Sequence, residues 1–496
     1  MKEKKSCRPY LTFLFILLIP VFTVADQKVE DQQFKDWMNS ERTSFKKYMD
    51  KRDTEFVKFL DANWEEFRIS SGLVSDKAPK PKLIPKAPTL PEPVPEPKTD
   101  KVISIPEHKP PAIDFKPPVV RVKPLPMPDD IKKDHKCIEF LFLETPVNLC
   151  FDPNFQSKPV MHFNKKSISK FWQNMSLTDH KGFVQHVLKL KKEMKLNDWG
   201  FHFLLYKSGE KIYDGNRNMS LLFVWFISSK AGYESRVGYK SDQIYLLMPS
   251  QNTLYSIPFL TIKGKRYYAQ YFDQQPVKFK KIFSYKGEYP GADRLMDYSF
   301  KDSPLIAMSS EKRDIRFHCN GKDYSFPIYF NRNLIHFYRY YPQTELQLYF
   351  TAAMPKETEA DILNNLKPAI NGLSEKEAAD VLLRFVQTVF AYKTDADQFG
   401  REKFMFPAET IYYPYSDCED RSFLFVWLVE NLLELEAVGL DYPGHVATGV
   451  KFNSDIDVIW EETKYTVCDP TYINAEAGMA MPDFKNIKPE IIKKGG

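Results

Sequence analysis

The 496-residue sequence is poor in residues that turns and general-base chemistry draw on, with 19 glycines and nine histidines. HExxH, CxxC, GxxxxGK[ST] and GxGxxG spacings are all absent. Their absence removes the usual signatures of zinc peptidases, thiol–disulfide pairs and nucleotide phosphate loops. The scattered histidines give no metal site and no cofactor is implied. Charge of one sign is also lacking. The formal net charge is +5, of which residues 1–25 carry +3. The remaining +2 makes no electrostatic case for nucleic acid.

Long apolar runs are missing after the N-terminus. The opening "MKEKKSCRPYLTFLFILLIPVFTVADQ" has a basic n-region, an apolar run from Leu11 to Phe22, and small residues at Thr23-Val24-Ala25. This is the pattern of a secretory signal peptide over residues 1–25. It predicts an exported, periplasmic or secreted protein; an uncleaved leader would tether it to the membrane. Cys7 precedes the apolar core, so it is not placed as a lipoprotein cysteine. Five further cysteines follow: Cys137, Cys150, Cys319, Cys418 and Cys468. An odd number in an oxidising compartment predicts at least one free thiol. Cys137 and Cys150 flank a hairpin-like "IEFLFLETPVNL", which allows them to pair.

What is abundant is proline and aromatic side chains, with 36 prolines and 15% Phe, Trp and Tyr. Residues 26–76 read as one helical segment, with Phe34, Met38, Phe45, Tyr48, Phe56, Phe59 and Trp64 at three- and four-residue steps over 31–69. That stripe either docks on the protein itself or supports self-association. Residues 77–130 hold 16 of the 36 prolines. They predict an extended spacer or tether, because proline fixes φ and removes a donor. Residues 131–275 read as a globular domain and 276–356 as a β-rich module, on alternating runs such as "DIRFHCNGKDYSFPIYFNRN". Residues 357–496 form the C-terminal domain. Within it Ser374 and Glu377 make a capping box ahead of the amphipathic "EKEAADVLLRFVQTVFAY". The fold class is α+β.

Two segments echo each other. "SLLFVWF" (220–226) and "SFLFVWL" (422–428) are separated by 202 residues. At that offset Cys418 falls on Asn216 and His445 on Gln243. If the offset marks a duplication, the first copy keeps the scaffold and lacks the chemical groups.

The chemistry concentrates in the second copy. In "YYPYSDCEDRS", Asp417 is an N-cap residue and Asp420 stands where a capping-box acid belongs. The run that follows is apolar nearly all round, which predicts a buried helix with Cys418 in its first turn. There the helix dipole favours a thiolate. Glu419 and Asp420 oppose it, so a basic partner is required. "LDYPGHVATGV" supplies one: Pro443-Gly444 turns the chain and His445 opens a strand. In "KYTVCDPTY", Asp469 ends another strand ahead of Pro470, and Cys468 points to the opposite face. A cysteine, a histidine and an aspartate on three element ends match a nucleophile, its base and the base's orienter.

On "DCEDRS", "GHVATGV" and "CDPTY", in that order, residues 396–482 resemble the transglutaminase-like superfamily, with its papain-like core. The layout resembles exported bacterial proteins carrying such a domain at the C-terminus, and residues 180–275 look like a degenerate form. The resemblance implies that Cys418 attacks an amide or ester carbonyl of a protein or peptide substrate, cell-envelope material included. His445 would move the proton and Asp469 would hold the imidazole. The Cys418 N–H would serve the oxyanion, with Tyr415 and then Gln398 as weaker candidates. Hydrolysis is expected over cross-linking, because nothing specifies an amine acceptor. The rival expectation is a non-catalytic envelope scaffold. A third reading makes the first copy a substrate-recognition domain for the second.

Overall fold

The computed structural model describes residues 51–75, 80–88, 135–156, 160, 162–272, 280–453 and 465–493. The signal-peptide segment, most of the expected 31–69 helix and most of the proline spacer lie outside these. The chain divides into two units, Met1–Glu55 and Phe56–Gly496. In the first, the described residues 51–55 are helical, and Lys51 pairs with Glu55 at 3.7 Å.

The second unit opens with helical residues 56–62, α1. The helix expected to run on to residue 69 stops there. Trp64–Arg68 is instead a strand, β1, on the edge of a six-stranded antiparallel sheet. Trp64 sits edge-on to Tyr285 at 5.2 Å and tilts against Tyr239 at 5.1 Å. A cross-strand aromatic site and a free sheet edge outweigh the helical periodicity.

The hairpin Lys136–Phe142 (β2) and Thr145–Phe151 (β3) follows, with Cys137 disulfide-bonded to Cys150 across it. Helices α2 (Lys165–Ser176), α3 (His180–Glu193), α4 (Asp198–Ile212) and α5 (Arg217–Lys230) come next. The strands β4 (Arg236–Lys240), β5 (Gln243–Pro249), β6 (Phe259–Ile262), β7 (Lys265–Gln270) and β8 (Lys281–Tyr285) follow, with α5 packed on β4 and β5. The sheet order is β1-β8-β4-β5-β7-β6. The stretch read as a β-rich module therefore gives its first strand, β8, to this sheet. The rest forms a hairpin of two ten-residue strands, β9 (Ser310–Cys319) and β10 (Lys322–Asn331), then α6 (Arg332–Arg339) and α7 (Leu346–Phe350).

The C-terminal part starts with α8 (Lys356–Ile370) and α9 (Glu375–Val389). The expected capping box opens α9, with the Ser374 N–H donating to Glu377 Oε2 at 2.8 Å. The short strand β11 (Ala391–Tyr392) pairs in parallel with β12 (Tyr415–Ser416), with α10 (Asp395–Phe399) and α11 (Pro407–Tyr412) between them. Then come α12 (Cys418–Leu432), β13 (Glu436–Tyr442), β14 (His445–Lys451), β15 (Thr466–Cys468) and β16 (Glu490–Ile492). The sheet order is β15-β14-β13-β16.

Helix α12 is central because its sequence leaves it no polar face. Phe423, Leu424, Phe425, Val426, Leu428 and Val429 have no solvent exposure. Burying each is worth on the order of 2 kcal/mol, which outweighs any local preference at the helix ends. β14 is buried on both faces from His445 to Val450. Gly439 on β13 has no room for a side chain, since a Cβ would stand 2.4 Å from the Phe350 ring. That close approach fixes α7 against the sheet. α+β is thus the observed class.

The helix–hairpin unit occurs twice at the offset of 202 residues. α5 corresponds to α12, the ends of β4 and β13 coincide, and β5 and β14 coincide over their whole length. Both hairpins turn in two residues, Ser241-Asp242 and Pro443-Gly444. The turns differ: Ser241 and Asp242 both have positive φ, whereas in the second only Gly444 does, at 77°.

Candidate active site

Cys418 occupies the first position of α12, as its N-cap sequence predicts. The Asp417 N–H donates to Asp420 Oδ2 at 3.4 Å, and Asp420 Oδ1 accepts the Met405 N–H at 2.7 Å. One turn into the helix, the Ser422 hydroxyl donates to the Val446 carbonyl at 2.9 Å. This bond ties the helix start to β14 at the residue after His445.

His445 and Asp469 are brought together. The imidazole Nε2 lies 2.9 Å from Asp469 Oδ2, and both groups are buried. Asp469 Oδ1 accepts the N–H groups of Thr471 and Tyr472 at 2.9 and 3.2 Å, so the carboxylate is held at both oxygens. Phe484 stacks on the imidazole with ring centres 4.7 Å apart. With Nε2 directed at a carboxylate, Nε2 carries the proton and Nδ1 is left as the acceptor. Nδ1 is buried and has no hydrogen-bond partner.

Cys418 is not hydrogen-bonded to this pair. Its thiol donates to Glu419 Oε2 at 3.1 Å. Burial pushes the thiol well above its ordinary pKa, and the Glu419 charge adds to that against the Lys80 ammonium. The helix dipole expected to favour a thiolate is outweighed by desolvation and the neighbouring carboxylate. The group rests protonated.

Glu419 belongs to a set of buried carboxylates. Asp395, Asp417 and Glu419 place oxygens within 4.8 Å of one another. Burial and like charges raise Asp395 and Asp417 well above the carboxylate range, and push Asp420 up to about 7. Burial also raises Glu419, but Lys80 outweighs it, so this carboxyl stays ionised. Arg421 is fully buried behind them. Its Nε donates to Ser416 Oγ at 3.1 Å and its Nη2 to the Phe390 carbonyl at 2.6 Å.

The two weaker oxyanion candidates stand apart. Tyr415 is on β12, 40% exposed, with the Lys393 ammonium 5.0 Å from its ring. Gln398 is in α10 with its Oε1 buried and unpartnered. Neither is hydrogen-bonded to Cys418, His445 or Asp469. The residue that sequence reasoning missed is Tyr392, which pairs with Ser416 through the two-residue β11–β12 bridge. Its hydroxyl is buried without a partner. Burial above all raises its pKa, so it stays a hydrogen-bond donor. A two-residue parallel bridge leaves no periodic trace that could have announced it. Lys80 was missed as well, one lysine among many in the proline-rich stretch. Cys468 and Cys319 are buried free thiols, and burial raises both.

No family model, curated protein or solved structure matches this chain. No helix among the described residues is long and apolar enough to cross a membrane.

Proposed function

We propose that the protein is an exported, cysteine-dependent acyl-transfer enzyme of transglutaminase-like type that hydrolyses amide bonds of proteins or peptides. The observation that carries this reading is the buried His445–Asp469 pair. It leaves one imidazole nitrogen unpartnered, on the strand to which the Cys418 helix is tied. A histidine buried without a second partner costs stability and is retained where it has work to do. The Cys137–Cys150 disulfide supports an oxidising compartment.

In this mechanism the thiol leaves Glu419 and gives its proton to His445 Nδ1. The sulfur attacks the substrate carbonyl, forming an S–C bond and an oxyanion. The Cys418 N–H and the Tyr392 hydroxyl are the candidate oxyanion donors. The C–N bond breaks as His445 returns the proton to the leaving amine. Water, deprotonated by the same nitrogen, then splits the thioester and restores the thiol.

The scaffold reading has its own observation, the fully buried thiol hydrogen-bonded to Glu419. Alkylation of Cys418 against pH, read by mass spectrometry, separates the two. The enzyme reading expects a rate that depends on His445 as the base and falls with His445→Ala at each pH. A rate that ignores His445 favours the scaffold.

A further inference from the structure

The carboxylates beside Cys418 are not empty of a counter-charge. Lys80, more than 300 residues away in sequence, places its ammonium among them. Nζ hydrogen-bonds Glu419, lies 2.8 Å from Glu402 Oε1 and 3.4 Å from Asp417 Oδ2. An ammonium has three donors, and three carboxylates face it. Asp417 Oδ1, in a residue with no exposure, still has no partner.

The rest of the segment "KPKLIPKAP" (80–88) runs toward the other end of the site. The Ala87 N–H donates to the Ile473 carbonyl at 2.8 Å, and Lys86 bridges to Ile473 in parallel. Ala87 and Ile84 pack with Tyr472, Ala475, Met481 and Phe484. Tyr472 belongs to the loop that Asp469 organises, and Phe484 stacks on His445. One extended strap thus contacts the neighbours of the cysteine with one end and those of the histidine and aspartate with the other. Between these anchors Lys82 and Leu83 stand in solvent.

We propose that the well formed by Asp417, Glu419 and Glu402, with Asp395 behind them, is a binding site for a primary ammonium group, whose ligand is a lysine side chain on an extended proline-bearing segment. In this chain Lys80 fills it in cis. Residues 80–88 therefore act as a tethered occupant that covers the thiol. As a control on turnover this rests on the function proposed above; as a binding site it does not.

Two measurements test the site without using turnover. In the intact native chain, acylation of lysines followed by peptide mapping should modify Lys80 at least ~10-fold more slowly than exposed Lys82. Equal rates would overturn the proposal. In Lys80→Ala, the thermal midpoint should fall and be raised again by Nα-acetyl-lysine amide, but not by Nα-acetyl-norleucine amide at matched ionic strength. Rescue by the norleucine compound, or stronger rescue by Ca²⁺ or Mg²⁺, would overturn the ammonium assignment, the latter in favour of a metal site. If Lys80→Ala does not fold, the acylation ratio decides alone. Loss of alkylation dependence on His445 would remove the enzyme and leave both results standing.

Discussion

The two helix–hairpin units solve the same packing problem with opposite chemistry at the helix start. In the first, Asn216 caps α5 by accepting the Met219 N–H at 3.1 Å. Arg217 donates to the Ile244 carbonyl at 3.1 Å, and Asn218 bonds both Asp242 and Ile244. These groups hold the helix to the hairpin, and Gln243 faces solvent. At the same offset the second unit has Cys418, Glu419, Asp420 and Arg421, all with at most 1% exposure, and a buried His445. Ser422 makes the bond to Val446 that Arg217 makes to Ile244. The first unit, whose one buried charge in the hairpin is Arg236 on β4, shows that the helix start and the head of the second strand form without buried ionisable groups. The second keeps five of them at a cost in desolvation that the fold does not require. That difference is the physical reason to seek function in the second.

The largest expected effect tests whether the chemistry belongs to the second unit alone. Cys418→Ser should lower hydrolysis of an activated acyl ester by roughly 10³-fold or more. Asn216→Cys combined with Gln243→His places the same two residues in the first unit. It should yield no turnover, because Asp469 falls on Tyr267 at that offset and nothing there orients the imidazole. Turnover by the graft would break the comparison. Asp469→Asn should cost roughly 10²-fold or more in the acyl-ester assay, by losing the imidazole tautomer, while the alkylated mass stays confined to Cys418. An unchanged rate would remove Asp469 from the mechanism.

A smaller effect concerns the buried guanidinium. Arg421 corresponds to Met219, which is equally buried. Arg421→Met restores the first unit's residue but leaves the Phe390 carbonyl and Ser416 hydroxyl without their donor, beside four carboxylic acids. The urea midpoint should fall by the equivalent of about 3 kcal/mol, as for breaking a buried charge cluster. A neutral result would show that the acids are not balanced by this residue, and Lys80 would carry the compensation.

Much of this comparison was legible in the residues. The helix start at Cys418, the turn before His445, the capping box at Ser374 and the 202-residue echo all follow from local rules of capping, turn chemistry and apolar patterning. The parts that were not legible are long-range. Lys80 reaches its site across more than 300 residues, and Tyr392 through a two-residue bridge. The helix expected to reach residue 69 ends because β8 offers an edge to Trp64–Arg68. The expected low thiol pKa depended on a helix dipole, which can be inferred locally. The opposing desolvation depends on what covers Cys418, which cannot. Tyr415 and Gln398 lie upstream of Cys418 in the sequence, and neither is hydrogen-bonded to Cys418, His445 or Asp469.

The smallest effect is a matter of pH. Asp420 corresponds to Asn218, and its carboxyl is pushed up to about 7 by burial and Glu419. Its folded pKa lies above the ordinary carboxylate value, so the native state binds the extra proton between about pH 4 and 7. The stability from that proton is complete on the acid side and lost as pH rises through 7. Unfolding free energy should therefore decline across this window. Asp420→Asn keeps an oxygen acceptor for the Met405 N–H and removes the titration. Its denaturation profile should be flatter from pH 5 to 8 than that of the parent. An unchanged slope would take the titration away from Asp420.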